Sequence, residues 1–140
     1  MPKYMLIMRA TDETVAAYEK MDFQKIVNDM GKFNQEMIQA GVLVAGEGLE
    51  DAADSVVVDY SSETPVVTDG PYGETKELFN GFWILEVASK EEAVEWARRA
   101  PLAGLGSKAE IRKVTEMDQF PQDNEYVQKE RDWRESTGQL

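Results

Sequence analysis

The chain has 140 residues, 15 basic and 27 acidic side chains, a net charge of −12, and neither cysteine nor histidine. Disulfides, Cys/His zinc sites and every Ser/His/Asp or Cys/His nucleophile arrangement are excluded, so acid–base work falls to Asp, Glu, Lys, Tyr or Arg. The length suits one domain with a real core, and the acidic balance with no basic run argues against partners such as nucleic acid or an anionic membrane.

Met1 to Arg9 holds too short an apolar stretch for a signal peptide. Tyr4 to Met8 is continuously apolar and bounded by charge, as expected of a strand covered on both faces. No apolar run approaches the ~18 residues of a spanning helix. The cytoplasm is the expected location. Thr11 to Met21 is polar, with a few Ala and Val, and reads as a connecting loop. Asp22 can cap a helix from Phe23 to Ala40, whose Phe23, Ile26, Val27, Met30, Phe33 and Met37 form one stripe at steps of three and four. Gly31 weakens its middle, and Gly41 stands where a helix often ends.

Val42 to Leu49 reads as a strand with a bulge or close backbone approach near Gly46 and Gly48. Asp51 to Asp54 is a turn, Ser55 to Tyr60 a strand, and Val66 to Thr68 a short extended piece. Asp69 to Glu77 is a loop of turn formers and charge. Gly81 to Val87 is the strongest strand, interrupted only by Glu86. Ser89 to Glu92 fits a capping box for a helix that Pro101 stops. Ala109 to Thr115 is the last strand, with Ile111 and Val114 on opposite faces. The main domain is assigned to residues 1–116. Residues 117–140 form an acidic extension with a short helix over 125–135, on which Tyr126, Glu130 and Trp133 share one side.

The order strand, helix, two or three strands, helix, strand fits an α+β, ferredoxin-like split βαβ protomer. Such a sheet has helices on one face only, yet Tyr4 to Met8 and Phe82 to Val87 are apolar on both. A second copy of the sheet is the economical cover, so a homodimer is expected.

Val67-Thr68-Asp69-Gly70-Pro71-Tyr72-Gly73-Glu74-Thr75-Lys76-Glu77, followed by Gly81-Phe82-Trp83, resembles the DGPF branch of the YCII-related family. Lys3 to Met8, Ala40 to Leu43, Ala45 to Leu49, Glu92 to Pro101 and Glu110 to Arg112 agree with it. The resemblance implies protomers paired into a dimeric α+β barrel, with a cleft between sheet and helices partly lined by the signature loop. The family has no settled activity: some YCII-like members are regarded as enzymes, and some DGPF members are associated with extracytoplasmic-function sigma factors. This chain departs twice. Tyr72 replaces the signature's Phe, and the His–Asp pair attributed to relatives has no histidine here.

Asp69 to Tyr72 fits a turn, with the Asp side chain capping it and Gly at an unusual backbone angle. It also fits a site with the Asp69 carboxylate at a cleft mouth. Glu74, Lys76 and Glu77 form either a solvated charge run or a set in which Lys76 neutralises an anion while Glu74 or Asp69 moves a proton. Asp69, Glu74 and Lys76 are the catalytic candidates. Tyr72, Glu47, Tyr4 and Trp83 are the ligand-binding candidates. Tyr4, Met5, Met8, Trp83 and Trp96 fit a core as well as a cavity wall. Glu86, if buried, needs a partner such as Arg9 or Arg112. Gly46-Glu47-Gly48 makes a poor phosphate cradle. Glu50, Asp51 and Asp54 match no EF-hand and read as a surface turn. No metal and no cofactor is expected. The expected function is binding of a small organic molecule in the sheet–helix cleft, with acid–base or lyase chemistry if it is an enzyme. The alternative is a non-catalytic regulatory or protein-interaction module.

Overall fold

The structure, a computed structural model, describes residues 1–71 and 77–140. The first strand, β1 (Lys3–Ala10), alternates: Tyr4, Leu6 and Ala10 are buried, while Met5 and Ile7 face the other way and stay half-buried. A helix follows, α1 (Asp12–Glu19), where the sequence reads as loop. Thr11 Oγ1 accepts the Thr14 N–H at 3.2 Å, and Asp12 and Glu13 complement the positive end of the helix. Thr14 is its one buried residue, so the helix carries almost no apolar period to detect.

The long helix α2 (Phe23–Gln39) begins where expected, with Asp22 Oδ1 accepting the Gln24 N–H at 3.0 Å. Past its end, Gly41 takes a left-handed φ of 73°. The stripe buries only its C-terminal half, Phe33 and Met37; Phe23 and Val27 stay exposed. Next come β2 (Leu43–Gly48), a short 3₁₀ turn, β3 (Val56–Asp59) and β4 (Val66–Asp69). The following strand, β5 (Leu78–Glu86), starts earlier than expected because Leu78 and Phe79 still pair with Ala10 and Arg9. Ser89 Oγ caps α3 (Lys90–Arg98) by accepting the Glu92 N–H at 3.2 Å. Glu92 Oε2 accepts from the Ala88 N–H at 2.9 Å, one residue before the cap. β6 (Lys108–Lys113) is shorter than expected, though the Val114 N–H still donates to the Lys3 carbonyl at 2.9 Å.

Strands pair in the order β2–β5–β1–β6, each neighbour antiparallel, with β3 and β4 as a separate two-stranded sheet. This mixed α+β arrangement is compatible with a ferredoxin-like fold, the β3–β4 hairpin being inserted between its second and third strands. One face of the main sheet packs on α2 and α3. Leu6, Met37, Leu85 and Val87 are its most deeply buried side chains, joined by Trp83 and Trp96. The opposite face presents Met5, Ile7, Ala45, Phe82 and Ile84, all half-buried. The last helix, α4 (Glu125–Ser136), buries no side chain. It rests on its Asn124 cap and on Glu125–Lys129 and Glu130–Arg134 pairs in the favourable order. No helix among the described residues is long and apolar enough to cross a membrane.

Candidate ligand cleft

A cleft of about 170 Å³ opens between α2 and the β2–β5 edge, lined by Met8, Met30, Asn34, Gly46, Glu47 and Trp83 among others. Trp83 is its fixed wall. The indole N–H donates to Asn34 Oδ1 at 2.9 Å, and the ring meets the edge of Phe33 at a centroid distance of 5.4 Å and an angle of 84°. Both partners lie on α2, so the helix sets the tryptophan's position from two directions.

The glycines of β2 make the room. A Cβ on Gly46 would lie 2.7 Å from Trp83 Cδ1, so only hydrogen fits beside the ring. A Cβ on Gly81 would come within 2.9 Å of the Glu47 carbonyl oxygen, which records how closely β5 approaches β2 there. The register slips between Leu43 and Ala45, just ahead of the glycines where a bulge or close approach is expected, and the close approach falls at Gly46 and Gly81. Glu47 sits at the exposed rim and is the one ionisable side chain among the described lining residues.

The remaining candidates fall elsewhere. Tyr4 is 7% exposed and belongs to the core cluster beside Leu6 and Leu85. Asp69 ends β4 opposite Val56, is exposed, and does not line the Trp83 cleft. Tyr72, Glu74 and Lys76 lie outside the described residues.

The signature's glycine answers to space rather than to an unusual backbone angle. Gly70 has no positive φ, but a Cβ there would lie 2.7 Å from Ser55 Oγ and 2.9 Å from Val57 Cγ2. Its N–H donates to the Ser55 carbonyl at 2.8 Å, fastening the loop's start to β3. Pro71 then joins Ser55, Asp51, Asp54, Glu50 and Phe79 around a second opening of about 370 Å³. Asp51 serves the turn there, its Oδ1 accepting the Ala53 N–H at 2.9 Å.

The loop's far end is fastened too. Glu77 bridges the end of β1 and the start of β6, with Lys108 at 2.8 Å and Arg9 at 3.2 Å. The Lys108 hydrogen bond, supported by the Lys108 and Arg9 charges, holds the Glu77 carboxyl below its ordinary range. Arg9 is thus engaged by Glu77, and Glu86 pairs with neither Arg9 nor Arg112 among the described residues. Glu86 instead faces a cleft beside the C-terminal segment.

Asn34 is a lining residue that the sequence reading passed over. It stands four residues after Met30 and three before Met37, inside the apolar stripe of α2. A polar residue at that spacing needs a buried partner, which was the available signal.

The YCII-related domain pattern matches residues 2–118. The chain is also similar to the uncharacterized protein R00369 of Rhizobium meliloti (strain 1021), 26% identical over 95 residues that cover 68% of this chain and 77% of that protein. With most of its length matched, from β1 to the turn before α4, the chain belongs to the YCII-related domain family.

Proposed function

We propose that the protein is a homodimer that binds a small organic molecule in the cleft between Trp83, Asn34 and the glycines of β2. The observation that carries this reading is the tryptophan held by Asn34 and Phe33 against a strand edge stripped of side chains at Gly46. Rigid aromatic walls with one or two placed polar groups are what small-molecule sites use. At about 170 Å³ the opening is well below drug-sized sites, so the occupant is a small metabolite-sized compound. Glu47 is the group placed to accept or donate a proton to it. Asp69, Glu74 and Lys76 remain catalytic candidates only if the signature loop reaches the same ligand. The dimer reading is supported by the half-buried apolar residues Met5, Ile7, Phe82 and Ile84 on the sheet face away from α2 and α3.

A metabolite screen by thermal shift tests the site. Compounds that stabilise the wild type lose their effect in Asn34→Leu, and Glu47→Gln weakens those with a basic or acidic group. Compounds that stabilise all three proteins equally would move the site elsewhere.

A second reading is favoured by α4, where Tyr126 and Trp133 are 74% and 55% exposed outside the family domain. Exposed aromatics on one helix are suited to a protein partner. Pull-down with the full chain and with Tyr126→Ser/Trp133→Ser distinguishes it. Identical recovered partners would remove α4 from consideration.

A further inference from the structure

A larger cleft, about 450 Å³, is lined by residues at the ends of β1, β5 and β6 and by the C-terminal segment, none of which lines the Trp83 site. Its floor is one row across the sheet. Lys3 stands opposite Glu86 on β5, and the Val114 N–H bonds to the Lys3 carbonyl on the other side. Strand alternation places all three side chains on the face away from α2 and α3, because Tyr4, Leu85 and Ile111 take the core face. The chain then turns at Met117, which is buried, and returns through α4. Lys3 Nζ donates to the Gln139 carbonyl and fastens the returning segment over the row. Arg134 arrives on the same wall.

Charges alternate around this opening. Arg134 shares Glu130 Oε1 through Nε and Nη2, and Nη1 has no hydrogen bond among the described residues. The Glu116 carboxylate pairs with Lys113 Nζ at 3.9 Å. Glu86 is half-buried and has neither an ion pair nor a side-chain hydrogen bond among the described residues. A half-buried carboxylate and an arginine edge with no partners among the described residues, with apolar Val114 and Met117 in the same lining, suit a molecule carrying both charges. We propose that this cleft binds a small zwitterion of the amino-acid or dipeptide class. Its ammonium sits on Glu86, its carboxylate on Arg134, and its apolar side chain on Met117 and Val114. Arg134, Gln139 and Leu140 of this lining come from the segment beyond residue 118, so the carboxylate contact lies outside what the family domain alone supplies.

The test is calorimetric titration of the full chain with leucyl-alanine, its N-acetylated form and its C-amidated form. The free dipeptide binds, and each capped form binds about tenfold or more weaker, since each loses one charge-assisted contact. In Glu86→Gln the free and acetylated forms bind alike; in Arg134→Met the free and amidated forms bind alike. Asn34→Leu, in the other cleft, leaves dipeptide binding unchanged and separates this result from the fate of the Trp83 site. Far-ultraviolet circular dichroism shows each variant folded. Absence of heat up to about 10 mM dipeptide in the folded wild type, equal affinity for the capped forms, or an unchanged discrimination in both variants overturns the proposal.

Discussion

Leu85 and Ile84 are neighbours on β5 and point to opposite faces of one sheet. Leu85 is 0% exposed beneath α2 and α3, whereas Ile84 stands half-buried on a face no helix of the family domain covers. The two faces are nearly equal in apolar content: Tyr4, Leu6, Trp83 and Leu85 on one, Met5, Ile7, Phe82 and Ile84 on the other. An antiparallel sheet with one wet face ordinarily alternates apolar and polar residues. Here alternation of burial survives without alternation of chemistry, and the difference marks the surface assigned to a second copy in the proposed dimer.

The largest effect is expected on the covered face. Leu85→Ala should cost about 2–5 kcal/mol, because its deeply packed neighbours relax only partly around the lost volume. If the proposed dimer forms, Ile84→Ala should cost less at low protein concentration and more as concentration rises, since the partner copy would bury that side chain. Urea denaturation at two concentrations separates these outcomes, and an Ile84 effect independent of concentration would break the contrast.

The glycines sharpen the same contrast at the sheet edge. Gly46→Ala should cost about 1–3 kcal/mol by driving a methyl into Trp83, with a shift in tryptophan emission. Gly31→Ala meets nothing within 4 Å on the outer side of α2, and it should stabilise by about 0.5–1 kcal/mol. Thermal melts with opposite signs for these two substitutions are the expected result.

The smallest effect is the pH response of Glu77. Its carboxyl titrates below the ordinary value of 4.5 because Lys108, then Arg9, favours the charged form. The folded protein therefore holds this group ionised after the unfolded chain has begun to take up protons. The stabilisation is present above about pH 4.5 and is lost as pH falls through the lowered folded value. Glu77→Gln should flatten that part of the acid stability profile and leave the slope above pH 5 unchanged, as followed by denaturation at stepped pH.

Much of this architecture was legible in the residues, for local reasons. Asp22, Gly41 and Ser89 announce helix ends because each satisfies or relaxes backbone groups within a few positions. The helix α1 was not legible by period, since its side chains bury almost nothing, although Thr11-Asp12-Glu13 carries a cap and two dipole-complementing acids. Gly70 and Glu77 show a different limit. Their neighbours Ser55, Val57, Arg9 and Lys108 are distant in sequence, so a glycine needed for space and a glutamate needed as a clamp read there as a turn and a charge run. Asn34 was missed because its partner, Trp83, lies 49 residues away.

The central claim is that this sheet is completed by another copy of itself, and sedimentation equilibrium at micromolar concentration tests it most directly. The wild type should sediment at twice the 15.8 kDa chain mass, and Ile84→Glu, with its far-ultraviolet spectrum intact, at the single-chain mass. A wild type that sediments as a monomer, or an Ile84→Glu protein that remains dimeric, would contradict the account.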